Sequence, residues 1–182
     1  MNNLRDKLKS WLESTRPENK NNVLVLSKPE FREAVKIIED LKIDKEKLCY
    51  ISIESTPECA KYWMEEEKED FDNDHILESS DKVLNLNFDD INRDREYKGH
   101  LFKTISEEQA KQIVDFIDNN MGKDIIIHCK AGSSRSQAIY RFIIDNYTDY
   151  YTPFILNKDN PCITPNIEVL SKLNKIYRYG RR

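Results

Sequence analysis

The stretch DIIIHCKAGSSRSQAIYRF, Asp124 to Phe142, decides the reading of the fold. Ile125, Ile126 and Ile127 form an unbroken apolar run, the pattern of a strand covered on both faces and so central in its sheet. A short polar loop follows, with Gly132 inside it. From Arg135 the apolar positions Ala138, Ile139, Phe142 and Ile143 recur at helical spacing. A buried strand therefore runs through a tight polar loop into a helix.

Working outward, the same alternation repeats. "NVLVLS" reads as a strand, and Ser27 with Glu30 forms a capping box for the helix carrying Phe31, Ala34, Val35 and Ile38. "KLCYISI" and "KVLNLNF" are two further strands. "TPECAKYWMEEEKEDFDNDH" reads as a short helix and an acidic loop, and "DDINRDREYKG" as a polar loop. Ser106 and Gln109 make a second capping box, before a helix burying Ala110, Ile113, Val114 and Ile117, with Gly122 closing it. "TDYYTPFILNKDNPC" reads as irregular, and Thr164 with Pro165 as the start of a last helix. Strands alternating with helices predict an α/β fold: a central, mostly parallel sheet of about four to five strands flanked by helices. Residues 1–20 read as an amphipathic helix (Leu4, Leu8, Trp11, Leu12) and linker that packs on the main unit. Residues 21–182 form that unit.

The 182 residues carry 29 basic and 33 acidic side chains, net charge −4. That balance gives no footing for nucleic-acid binding or for a basic membrane-binding surface. No signal-peptide pattern and no apolar run of transmembrane length is seen, so a cytoplasmic setting is expected. The cysteines, Cys49, Cys59, Cys129 and Cys162, form no CxxC pair and read as thiols. His75 and His100 stand isolated. No metal site and no cofactor is expected. Oligomeric state is not legible.

The loop from Cys129 to Arg135 has a chemistry of its own. Five residues, Lys130, Ala131, Gly132, Ser133 and Ser134, separate the thiol from the guanidinium. At a strand end facing a helix start, their amides can point inward as an anion nest, backed by the helix dipole. Gly132 lets the backbone turn where a Cβ would crowd. Arg135 can grip two phosphate oxygens at once. Helix N-termini and nearby cations favour the thiolate of a cysteine, so Cys129 is the expected nucleophile. Ser136 is placed to hydrogen-bond the sulfur as it leaves. His128 is expected to be buried and to orient the loop rather than act as a base. A leaving alkoxide needs a proton, and a carboxylic acid must supply it. Asp89 and Asp90 end the preceding strand, 40 and 39 residues before Cys129. Asp90 is the first choice, Asp89 the alternative, and Asp94 lies further into the loop.

His128 to Ser136 resembles the H-C-x-x-G-x-x-R-[ST] signature of the cysteine-dependent protein tyrosine and dual-specificity phosphatases. Every fixed position matches. The likeness extends more loosely from Val23 to Tyr147 and is similar in layout to compact microbial and viral members. The resemblance implies metal-free hydrolysis of a phosphate monoester on a protein. Cys129 would form a phosphocysteine, and Asp90 would protonate the leaving group. The amides of 130–135 and the side chain of Arg135 would hold the phosphate. Four other readings stay open: a phosphoprotein-binding module with little turnover, a phosphoinositide phosphatase suggested by Lys130-Ala131-Gly132, an RNA 5′-triphosphatase, and rhodanese-like or arsenate-reducing chemistry on a related anion loop. Cys49 or Cys59 could pair with Cys129 under oxidation. Tyr147, Tyr150, Tyr151 and Phe154 read as packing, with a cleft wall as the alternative.

Overall fold

The computed structural model describes residues 4–13, 20–153 and 163–180. Five strands make one sheet: β1 (Asn21–Ser27), β2 (Leu48–Glu54), β3 (Val83–Asn87), β6 (Asp124–Cys129) and β7 (Tyr151–Pro153). Their order is β3-β2-β6-β1-β7, and every pairing is parallel. β6 occupies the centre, where its triple isoleucine run demands cover on both sides. The register sets Cys129 beside Ser27 and His128 beside Ser52.

Helices cover both faces. On one side α1 (Leu4–Glu13) and α2 (Lys28–Asp40) cover Leu24, Leu26, Tyr50 and Ile126. On the other, α4 (Glu107–Asn119), α5 (Arg135–Asn146) and α6 (Ile167–Tyr179) cover Ile51, Ile125 and Ile127. Alternate β6 residues thus enter different cores. His128 faces α2, and Cys129 faces α5. α1 is part of the packed unit, since Leu8 and Trp11 are fully buried with α2. α3 (Pro57–Glu65) starts just beyond β2 and packs on a small outer hairpin.

Both capping boxes form. The Ser27 amide and hydroxyl donate to Glu30 Oε2, and Ser106 and Gln109 exchange bonds.

Four local expectations are corrected. "DDINRDREYKG" is not all loop: β4 (Arg95–Tyr97) and β5 (His100–Phe102) pair antiparallel across Lys98-Gly99, both at positive φ. Those angles make the two-residue turn that hairpins favour, with glycine supplying half of it. The irregular segment contains β7, a three-residue edge strand that among the described residues pairs with β1 alone. The last helix is capped by Asn166, whose side chain accepts from the Val169 amide, not by Thr164. Asn120 caps α4, and Gly122 follows in the left-handed region at φ +93°. Linker residues 14–19, Phe154 and Cys162 lie outside the described residues.

Candidate active site

The 129–135 loop leaves the central strand and is shaped from behind by β1. Gly132 sits at φ +70°, and a Cβ there would stand 2.8 Å from Leu26 C and Ser27 N. Only glycine meets both demands. The loop's carbonyls are taken by surrounding donors. Lys130 O accepts from the Lys28 amide (3.2 Å), Ser133 O from the Thr164 amide (3.0 Å) and Ser134 O from the Ala138 amide (3.0 Å). Gly132 O accepts from Gln137 Nε2 at 3.0 Å. The amides of 130–134 donate to no acceptor among the described residues. Lys130 and Ala131 are exposed and Gly132 to Ser134 half-buried, so these amides are open to an acceptor-rich ligand at the helix start.

Arg135 opens α5 and is 4% exposed. Its Nη1 donates to Phe88 O (2.7 Å) and Glu54 O (3.1 Å), which fixes the guanidinium plane from β2 and the end of β3. Its Nε is buried without a partner among the described residues. An orphaned guanidinium donor is costly unless an anion arrives. Cys129 Sγ lies 3.1 Å from Ser136 Oγ, and both residues are buried. Thiol, hydroxyl, guanidinium and free amides therefore share one small volume.

The structure separates the two acids at the end of β3. Asp89 is buried and saturated: the Thr56 amide, the Thr56 hydroxyl and the Lys103 amide each donate to it at 2.8 Å. It ties β3 to α3 and the hairpin. Asp90 is exposed, and its Oδ1 accepts from Ser134 Oγ (2.7 Å) and Asn166 Nδ2 (2.8 Å). It sits at the rim of the same cleft as Cys129 and Arg135. Asp94 accepts from the Thr104 amide at 2.8 Å and braces the loop.

The cleft measures about 340 Å³ and has Trp63, Phe71, Ile91 and Phe102 among its walls. Tyr147 and Tyr151 pack in the core instead, and Tyr150 is exposed. Trp63 and Phe71 lie parallel, 6.3 Å apart at 7°. Lys130 Nζ stands 3.8 Å above the Phe71 ring and 3.8 Å from Glu69 Oε2. Its charge is thus partly spent outside the nest. The loop carrying Phe71 is pinned by buried charge. Lys28 Nζ reaches Asp72 Oδ1 at 2.8 Å and Glu54 Oε1 at 3.0 Å. Hydrogen bonds from Lys28 and then Arg32 hold the Asp72 carboxyl well below the usual range, while burial raises that of Glu54. Asn73 exchanges two bonds with the Ser55 backbone.

His128 is fully buried, stacked on Phe31 at 4.1 Å, and bonded through Nε2 to Ser52 Oγ at 2.8 Å. Burial pushes its pKa down to about 3. Such a group orients and does not take up protons at neutral pH. His75 is not isolated, because its Nδ1 lies 2.7 Å from the same Ser52 hydroxyl. The two candidate partner thiols also separate. Cys49 lies near the far end of β2, with Sγ 3.6 Å from Asp124 O, and burial raises its pKa to about 12. Cys59 lines the cleft, with its thiol pushed up to about 11 by burial.

Lys28, Glu54, Trp63, Phe71 and Asn166 are site residues that sequence reasoning missed. Only Asn166, an asparagine just before an apolar helical pattern, carried a readable signal.

No protein-family model and no curated protein matches this chain. Among the described residues, no helix is long and apolar enough to cross a membrane.

Proposed function

We propose that the protein hydrolyses phosphate monoesters through a phosphocysteine intermediate, as a protein tyrosine or dual-specificity phosphatase. One observation carries this reading: Cys129, Arg135, Asp90 and the loop residues Lys130, Ala131 and Ser133 line one cleft, where the Arg135 Nε and the loop amides have no acceptor among the described residues. That set supplies a nucleophile, a trigonal-oxyanion clamp and a proton donor, the parts a phosphoryl transfer needs.

In the first step the Cys129 thiolate attacks phosphorus, the ester P–O bond breaks, and protonated Asp90 gives its proton to the leaving oxygen. In the second, the Asp90 carboxylate takes a proton from water, the water oxygen bonds phosphorus, and the P–S bond breaks. Ser136, 3.1 Å from the sulfur, donates a hydrogen bond to the departing thiolate. The amides and Arg135 grip the same equatorial oxygens throughout.

The apolar wall supports an aryl or side-chain phosphate on protein over a highly charged inositol ring. Lys130 supports it as well, being drawn to Phe71 and Glu69. A reducing, cytoplasmic compartment suits an attacking thiolate.

The test is a substrate panel with and without chelator: phosphotyrosine and phosphothreonine peptides, phosphoinositides and a 5′-triphosphate RNA. Chelator-insensitive release of phosphate from a phosphopeptide, lost in Cys129→Ser, is the expected result. Phosphopeptide binding without any release would instead mark a binding module.

A further inference from the structure

Four polar side chains form a hydrogen-bonded file from the rim of the sheet to the strand that delivers Cys129. Asn87 ends β3, His75 lies in the loop before β3, Ser52 is in β2 and His128 in β6. The links are Asn87 Oδ1 to His75 Nε2 (3.1 Å), His75 Nδ1 to Ser52 Oγ (2.7 Å) and Ser52 Oγ to His128 Nε2 (2.8 Å). Ser52 and His128 are completely buried. A buried polar file is costly in a sheet face that apolar side chains could fill, unless every member is satisfied.

The direction of the file can be read from its outer end. Asn87 Nδ2 donates to Ser55 O at 2.9 Å, so Oδ1 is the atom turned to His75, and it can only accept. His75 Nε2 therefore carries a proton. Burial, reinforced by the Lys28 charge, lowers the His75 pKa below its ordinary value, so the ring is neutral at pH 7 and Nδ1 is a bare acceptor. The one hydroxyl proton of Ser52 goes to that acceptor, and the Ser52 oxygen accepts from His128 Nε2–H. That assignment leaves the lone pair of the neutral His128 ring on the buried Nδ1, and the Cys129 backbone beside the ring favours a proton there.

We propose that His75 is a positioning residue for the nucleophile: acting through Ser52, its protonation state selects which nitrogen of His128 carries the proton, and so whether a lone pair or a donor faces the backbone of Cys129. When His75 takes a proton from water at Nδ1, two N–H groups meet the Ser52 oxygen and the hydroxyl proton loses its acceptor. The satisfied arrangement is the reverse one. His75 donates to Ser52, Ser52 donates to His128 Nε2, and His128 holds its proton on Nδ1. One proton is gained in total, at His75, while His128 stays neutral and exchanges one nitrogen for the other.

The charges facing this file are known. Lys28 at the start of α2 lies near both rings and disfavours protonation, and Asp74 in the loop favours it at His75. Lys28 is itself paired with Glu54 and Asp72. Arg135 adds positive charge near His128.

Nitrogen NMR of the histidine rings in the full chain is the test, because the sequence holds only three histidines and His100 stands outside the file as a reference. The expected spectrum at neutral pH has His128 protonated on Nε2. As pH falls and His75 titrates, the two His128 nitrogens exchange identity without His128 becoming charged. Ser52→Ala should uncouple the rings, and Ser52→Thr should couple them again. On p-nitrophenyl phosphate, kcat/KM should show an acid-side inflection of roughly 3- to 10-fold, the size of one hydrogen bond to the site. That inflection should vanish in His75→Asn. A His128 that stays in one form while His75 titrates in the unaltered protein overturns the proposal, whatever the variants do. This inference rests on the phosphatase reading only for its kinetic arm. Absence of turnover with intact ring coupling would count against that reading, whereas turnover without coupling would count against this one.

Discussion

Asp90 Oδ1 accepts a 2.7 Å hydrogen bond from Ser134 Oγ, which ties the acid at the end of β3 to the loop that begins at Cys129. Asn166, at the start of α6, donates to the same oxygen at 2.8 Å. Oδ2 has no such partner among the described residues and is the oxygen on which a transferable proton would sit. Replacement by asparagine keeps the shape and removes the proton. Asp90→Asn should lower kcat by roughly 100-fold or more on a phosphothreonine peptide, within the range of general-acid help. It should matter far less on p-nitrophenyl phosphate, whose leaving group needs little protonation. Equal losses on both substrates, or a larger effect from Asp89→Asn, would remove Asp90 from the acid role.

Asn166 has two duties, and two substitutions separate them. Its Oδ1 caps α6 through the Val169 amide at 3.1 Å, while its Nδ2 holds Asp90. Asn166→Ala should cost about 1 kcal/mol for the cap and also slow turnover. Asn166→Asp keeps the capping oxygen but sets a like charge against Asp90. Unfolding in urea should therefore show near-native stability for Asn166→Asp with reduced kcat. Full activity in both variants would show that Asp90 needs no tether.

Gly132 is the most restricted position in the loop. An added Cβ would stand 2.8 Å from the β1 backbone at Leu26 and Ser27, and the φ of +70° is itself unfavourable for other residues. Gly132→Ala should destabilise the fold by roughly 1–3 kcal/mol and weaken vanadate binding together with it. Gly99→Ala tests the contrast. Its φ is +75°, but no atom lies within 4 Å of the added Cβ, so it should suffer the conformational cost without the clash. Equal melting temperatures for the two variants would contradict this.

Acid should weaken the fold early. The buried His128 has a pKa near 3, against about 6.5 in an open chain. Between those values the unfolded chain binds a proton that the folded protein refuses. Stability is thus intact above about 6.5 and falls as pH drops below it, by about 1.4 kcal/mol per pH unit at full slope. His75, also lowered, acts in the same direction, and Glu54, raised by burial, opposes them. Chemical denaturation across the window should show the decline, and His128→Gln should flatten it. A decline of the same slope in that variant would place the acid sensitivity elsewhere.

Much of the architecture was legible because its signals are local. The isoleucine run of β6, the two capping boxes and the strand–helix alternation each rest on neighbours in sequence, and each appears in the structure. The loop was legible for the same reason, since thiol, glycine, serine and arginine all fall within Cys129–Ser136. Residues that meet only in space were not. Asn166 reaches Asp90 across 76 positions, and Lys28 reaches Asp72 across 44. The short hairpin was hidden because all three β4 residues lie on the exposed side and show no apolar alternation to read. β7 was hidden because three residues are too few to show a period.

The central claim is that Cys129 itself carries the phosphoryl group. Rapid quench of the protein turning over a radiolabelled phosphopeptide into alkaline detergent, where an S–P bond survives, followed by peptide mapping at alkaline pH, tests it directly. The account predicts label on the peptide bearing Cys129, in greater amount in Ser136→Ala, where the thiolate leaves more slowly, and none in Cys129→Ser. Label on another residue, or continued turnover by Cys129→Ser, would contradict it.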